Sequence, residues 1–306
     1  MSAAALPQSQ TGRAVVLMMT STLFFALMAV AIRIAAERTS IVEIAFYRNF
    51  FGLLVLLPFL VRGGSAALRT TQWSRYLLRA AVGVAAMLCS FWALGNLPLA
   101  QAIALSYSSP LFVTIFAVIW LGEVVRRRRW TAVLLGFVGV LMIVRPGTDG
   151  FSLGSLVAIL GALLGSIVAI QIKQLSRTDA PDTIVFYTYL FWVPLSLMPA
   201  LPVWTWPQGI DWLWLVAIGI FGTGGQLFWT RALKLGEVSA LTPISFTQLP
   251  LVTFLAWLLF DEIIGAWTIA GSLVILGANA YIAHREAQLS RRAATTAPVE
   301  AAKPGE

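Results

Sequence analysis

Two ionisable side chains, Glu43 and Arg48, stand in an apolar stretch at residues 41 to 61. A charge inside a membrane-length segment costs roughly 2.5–3.5 kcal/mol on insertion scales, so it faces a cavity or a partner. Five residues apart, the two side chains diverge by roughly 140° on a helix and form no intrahelical pair. Glu43, near the start of the stretch, suits capping, snorkelling or proton coupling. Arg48 suits a tie to a neighbouring helix end or its carbonyls, or a role as a coupling charge.

Uncharged polar residues form stripes as well. Thr242, Ser245 and Gln248 recur at every third position, and Gln101 and Ser108, seven apart, share another face. With Gln171 and Gln226 they would supply a ring of amide and hydroxyl groups around a small polar ligand. The same groups suit interhelical hydrogen bonds, worth ~0.6–2 kcal/mol each in membranes. Trp92 and Trp229 would stack on a planar ligand or serve as packing or interfacial anchors. Catalytic chemistry has little to work with: His284 is the only histidine, Cys89 the only cysteine, and no carboxylate cluster or Walker motif occurs. Neither an enzyme, a metal site, a cofactor nor direct ATP coupling is expected.

The elements that must carry these residues follow from composition. Of the 306 residues 59% are hydrophobic and 11% charged, about half the charge of a soluble domain. Crossing a bilayer core takes about 20 helical residues. Uncharged runs of that order occur at 14–32, 80–122, 151–172, 183–210, 212–230, 238–260 and 263–283. The run 80–122 divides at Gly95-Asn96-Leu97-Pro98; residues 41–61 and 130–144 complete ten crossings. The runs are too long for barrel strands and lack period-two alternation, so they are helices. The first has too long an apolar region for a cleaved signal, and the Ala/Pro-rich tail at 289–306 is expected to be disordered.

The net charge of +8 is distributed as a topology signal rather than a nucleic-acid surface. With the N-terminus cytoplasmic, 17 Lys and Arg fall inside, including the run Arg126 to Arg129, against Arg33, Arg38 and Arg145 outside. Both termini are then cytoplasmic, and the basic run lies against anionic lipid.

The chain also repeats itself. At an offset of 139, Ala93/Ala232, Leu94/Leu233, Ser106/Ser245, Val113/Val252, Thr114/Thr253, Ala117/Ala256 and Glu123/Glu262 are identical, and Tyr107 faces Phe246. Ala31-Ile32-x-Ile34 pairs with Ala169-Ile170-x-Ile172, and Phe46-Tyr47 with Phe186-Tyr187. Two five-helix units are expected, 1–147 and 148–288. Five crossings each makes them inverted repeats, the build of secondary transporters with a site near mid-membrane. Pro110 and Pro250 fall within the fourth and ninth crossings, freeing carbonyls at Ser106 and Phe246. Helices interrupted at matching places point to a substrate site; the alternative is a kink without a ligand.

The stretches "ALGNLPLAQAIALSYSSPLFVTIFAVIWLGE" and "RRRRWTAVLLGFVGVLMIVRPG" resemble the first repeat of the EamA family in the drug/metabolite transporter superfamily, and the second half resembles its other repeat. The resemblance spans about residues 14 to 284, with Asp261-Glu262 where the family has Gly-Glu. It implies an all-α integral membrane protein of ten helices, two inverted repeats around a cavity lined mainly by helices 1, 3, 4, 6, 8 and 9, and a bacterial cytoplasmic membrane location. The opening segment is similar to a subgroup that carries riboflavin, S-adenosylmethionine and small metabolites. The expected function is therefore secondary transport of a small metabolite, a planar heterocycle favoured, with protons as the candidate coupling ion. An amino-acid or metabolite exporter of the same fold is the alternative, and a non-transporting scaffold or sensor is the alternative from another class. The expected assembly is a monomer or homodimer in contact with lipid. Gly161-x-x-x-Gly165 reads as a face for packing helices.

Overall fold

The computed structural model describes residues 8–63, 70, 72–122, 127–148, 151–175, 178–179, 181–235, 241 and 244–300. Its elements are α1 (Gln8–Ala35), α2 (Ile41–Gly63), α3 (Trp73–Asn96), α4 (Leu99–Ser106), α5 (Ser109–Leu121), α6 (Arg127–Val144), α7 (Leu153–Leu175), α8 (Pro181–Ala200), α9 (Asp211–Leu235), α10 (Gln248–Phe260) and α11 (Ala266–Glu300). No strand occurs among the described residues. Seven stretches are long and apolar enough to cross a membrane: Gly12–Ala35, Trp73–Asn96, Leu99–Trp120, Leu153–Leu175, Thr183–Val203, Asp211–Leu233 and Ala266–Arg285. Trp130–Val144 and Gln248–Phe260 are apolar but shorter. Helix α11 runs to Glu300, into the segment where composition predicts disorder.

Packing follows a pattern of exchange. α1 lies along α9 and α3 along α7; α2 contacts both α8 and α9, and α8 contacts α2 and α3; α6 lies along α11 and α4 against α10. Counting helices from α1 and again from α7, with α4 and α5 taken as one, each of these contacts has a partner with the halves swapped. In lipid there is no hydrophobic drive between helices, so the close contacts use small residues. A Cβ built on Gly271 of α11 would come within 2.5 Å of the Gly139 carbonyl oxygen on α6, and one on Gly139 within 2.7 Å of the Gly271 carbonyl oxygen.

The repeat is most detailed where the helices break. α4 gives way to α5 at Tyr107-Ser108, and a turn at Phe246-Thr247, 139 residues on, precedes α10. The Ser108 hydroxyl donates to the Leu105 carbonyl at 2.7 Å and the Thr247 hydroxyl to the Ile244 carbonyl at 2.6 Å. α5 and α10 are both 13 residues long. They end on left-handed residues, Gly122 (φ 66°) and Asp261 (φ 53°), whose N–H groups bond to Ala117 and Ala256. The prolines therefore do not sit mid-helix. Pro110 and Pro250 lie in the first turn of α5 and α10, where an N–H has no intrahelical acceptor in any case. This accounts for their one-residue mismatch in register, since any first-turn position tolerates proline.

A second duplicated cluster centres on the aligned pairs Phe46-Tyr47 and Phe186-Tyr187. Tyr47 packs edge-on to Phe46 at 5.3 Å and to Trp212 at 5.5 Å, and stacks on Phe51 at 6.1 Å. Tyr187 packs likewise on Phe186 at 5.2 Å, Trp73 at 5.0 Å and Phe191 at 6.2 Å. Thus the start of α2 meets the start of α9, and the start of α8 meets the start of α3.

Candidate functional site

The ends of the helices are fastened by polar ties. Glu43 is fully buried, but it faces a helix end. Its carboxylate accepts from the Ser40 N–H at 3.2 Å while the Ser40 hydroxyl accepts from the Glu43 N–H at 3.4 Å, a reciprocal capping box. The same carboxylate accepts from the Thr205 N–H at 2.7 Å, tying α2 to the α8–α9 connection. At the start of α8, Asp179 accepts from Thr70 at 2.7 Å and from Tyr76 at 2.8 Å. Desolvation alone would raise the Asp179 pKa, but hydrogen bonds from Thr70, Tyr76, Thr178 and Gln72 outweigh it and hold the pKa below the ordinary value.

A third tie joins α1, α3, α4 and α10. Arg33 donates to the Gly95 carbonyl at 2.7 Å and the Leu97 carbonyl at 3.2 Å, and forms an ion pair with Glu262 at 3.1 Å. The other Glu262 oxygen accepts from the Leu99 N–H at 2.7 Å, the positive end of α4. α10 therefore ends beside the start of α4. The aligned acid Glu123 lies outside the described residues.

Within this frame a cavity of about 280 Å³ opens between α1, α2, α3, α7 and α8, near the lower bound of ligand sites, roughly 300–1,000 Å³. Met28, Phe91 and Val168 give it apolar walls; Gly83 and Gly161 admit close approach by Trp192 and Ser90, while Gly165 leaves space open; Ser90 and Arg48 are its polar groups, with Trp192 beside them. Arg48 is 8% exposed, and its guanidinium carbon lies 5.4 Å from both the Tyr189 and Trp192 ring centroids, within cation–π range. Its Nη1 donates to Asn49 Oδ1 at 3.0 Å, Asn49 Nδ2 to Ser196 Oγ at 3.1 Å, and Ser196 Oγ to the Trp192 carbonyl at 2.6 Å. This chain of bonds locks the guanidinium to the α8 backbone. Gly222 of α9 makes room for it, because a Cβ there would lie 3.2 Å from Arg48 Nε.

Among the residues singled out in the sequence, Arg48 lines this cavity and the others do different work. Gln101 donates to Ser155 at 3.0 Å and Tyr107 to the Ser245 carbonyl at 3.0 Å, tying α4 to α7 and the two breaks together. The Ser106 and Ser108 hydroxyls bond within their own turn. Pro110, Pro250, Trp92 and Trp229 are exposed; Gln171, Gln226, Ser245 and Gln248 are half-buried away from the lining. Thr242 lies outside the described residues. Arg48 lines the cavity with its guanidinium beside two rings. The walls come from helices 1, 2, 3, 6 and 7 in crossing order, a set shifted toward α2 and α8 from the one the family resemblance implies. Gly161 packs on Cys89 and Ser90, as a small-residue face should, whereas a Cβ on Gly165 would meet only the Ser109 hydroxyl at 3.9 Å. Tyr189 and Trp192 were missed; their spacing of three on one helix face was the available signal.

These features define an all-helical, multi-pass membrane protein with a cavity between its helices. The chain belongs to the EamA-like transporter family, whose pattern matches residues 12–145 and again 152–283. It is 34% identical over 252 residues to a riboflavin transporter of Vibrio cholerae, covering 81% of this chain and 85% of that one. It is 28% identical over 250 residues to an S-adenosylmethionine uptake transporter of Rickettsia felis (82% and 85%) and 29% identical over 269 residues to a pseudopaline exporter of Pseudomonas aeruginosa (86% and 93%).

Proposed function

We propose that the protein is a secondary carrier of a small metabolite, a planar heterocycle of the riboflavin or S-adenosylmethionine type, working by alternating access in a bacterial cytoplasmic membrane. The observation that carries this reading is the cavity itself, lined by α1, α2 and α3 from one repeat and α7 and α8 from the other. The transport roles named for three relatives, each matched along most of its length, support the same class.

The architecture proposed is ten crossings in two inverted five-helix repeats, 1–147 and 148–288, with both termini cytoplasmic. The exchange-related contacts and the duplicated breaks support it, as does the meeting of α10's end with α4's start. Opening one face then requires α10 and α1 to part from α4, breaking the Arg33–Glu262 pair and uncovering the Leu99 N–H. Glu43, bound by Ser40 and Thr205, serves in this reading as a fastener of α2 rather than a proton carrier. Export remains the second reading, favoured by the similarity to the pseudopaline exporter.

Purified protein in liposomes loaded with unlabelled riboflavin should accumulate labelled riboflavin in a saturable way, with S-adenosylmethionine and amino acids tested alongside. Loss of saturable flux for every one of these compounds, from protein shown to be folded, would remove the carrier reading.

A further inference from the structure

Among the described residues, the partners of Arg48 are neutral. Its Nη1 is engaged by Asn49, Asn49 is backed by Ser196, and the aromatic faces of Tyr189 and Trp192 flank the guanidinium carbon. The cavity lining contains no Asp or Glu. The elements packed around Arg48 contribute Met28 from α1, Gly83 and Ser90 from α3, Gly165 from α7 and Gly222 from α9. None of these can neutralise it. A buried cation without a carboxylate is costly, and the cost falls when a ligand brings the missing acceptor.

The rings support the same conclusion from the opposite side. An aromatic cage that takes an ammonium or sulfonium ligand offers bare ring faces to the cation. Here one face of Tyr189 and one of Trp192 are already taken by the guanidinium. An arriving cation would meet a like charge in a low-dielectric pocket.

We infer that the cavity selects ligands presenting carbonyl or anionic oxygen acceptors to Arg48 and disfavours cationic ones, making Arg48 the charge-discriminating residue of the carrier. This rests on the carrier reading above and separates its two cargo types. A neutral ring bearing carbonyl groups fits, whereas a sulfonium does not.

S-adenosylmethionine and S-adenosylhomocysteine isolate the charge, since they differ by one S-methyl group and its positive charge. Full-length protein in nanodiscs is titrated with riboflavin, read by flavin fluorescence quenching, and each adenosyl compound is then tested as competitor. The expected wild-type result is riboflavin binding, with S-adenosylhomocysteine competing about tenfold better than S-adenosylmethionine. Arg48→Gln should weaken riboflavin about tenfold and shrink the competitor preference to about twofold or less, while Arg48→Lys should keep the preference. Equal competition, or better competition by the sulfonium, in the wild type overturns the inference without any variant being needed, as does an unchanged preference in folded Arg48→Gln. Riboflavin binding with equal competition refutes only the charge selection. If the wild type binds none of the three compounds, this inference falls, and the carrier reading falls with it once flux is also absent.

Discussion

A Gly165→Phe protein is expected to fold and insert normally yet lose saturable riboflavin flux by at least about tenfold, or ~1.4 kcal/mol. The reason is geometric. Gly165 sits on α7 with its Cβ direction open, the nearest atom being the Ser109 hydroxyl at 3.9 Å, and it lines the cavity. A benzyl group there enters the empty volume instead of a neighbouring helix, so it competes with a ligand while sparing the helix contacts. Gly161, one turn earlier, is the contrasting case. A Cβ there comes within 3.1 Å of the Ser90 hydroxyl and 3.2 Å of Cys89 Cβ, so bulk at that position strains the α3–α7 contact. Flux in proteoliposomes together with a thermal unfolding midpoint in detergent separates the two effects. Wild-type flux in folded Gly165→Phe would mean that the substrate does not pass through this cavity.

Gly271→Leu should produce the largest loss of stability. Its Cβ would lie 2.5 Å from the Gly139 carbonyl oxygen and 2.6 Å from Ile143 Cγ1, so backbone rather than a movable side-chain tip is in the way. Overpacking of this kind costs ~1–3 kcal/mol and more where the backbone must shift. Even Gly271→Ala should lower the unfolding midpoint, and Leu should push α6 and α11 apart. Gly277 on the same helix is the control. Nothing lies within 4 Å of its Cβ position, so Gly277→Ala should be neutral or gain up to ~1 kcal/mol from helix propensity. Equal midpoints for the two alanine variants would contradict the close α6–α11 approach.

The repeat was legible because it is written in residue identities at a fixed offset, and the structure places a helix break at the same point of each copy. The meaning of Pro110 and Pro250 was only half legible, since a proline marks a disturbance without telling a kink from a first turn. The cavity was harder to read for a physical reason. In a soluble protein the apolar face of a helix points to the core, but a membrane helix is apolar all round, so hydrophobicity does not reveal which face looks inward. Polar stripes therefore drew attention, and residues such as Gln101 and Tyr107 turned out to bond neighbouring helices. The lining is instead written largely in Gly, Ala and Met, types that lack a chemical signature. Arg48 stood out as a charge, but its aromatic partners Tyr189 and Trp192 lie about 140 residues away on another helix, a distance no local pattern spans.

Alternating access requires a cavity that opens to each side of the membrane in turn. Ser90 lines it, and Cys89 is the only cysteine to remove. A Ser90→Cys protein in a Cys89→Ala background should be labelled by a membrane-impermeant thiol reagent in both right-side-out and inside-out vesicles, with riboflavin slowing the reaction from each side. Labelling from neither side, or from one side alone whatever the substrate gradient, would contradict it.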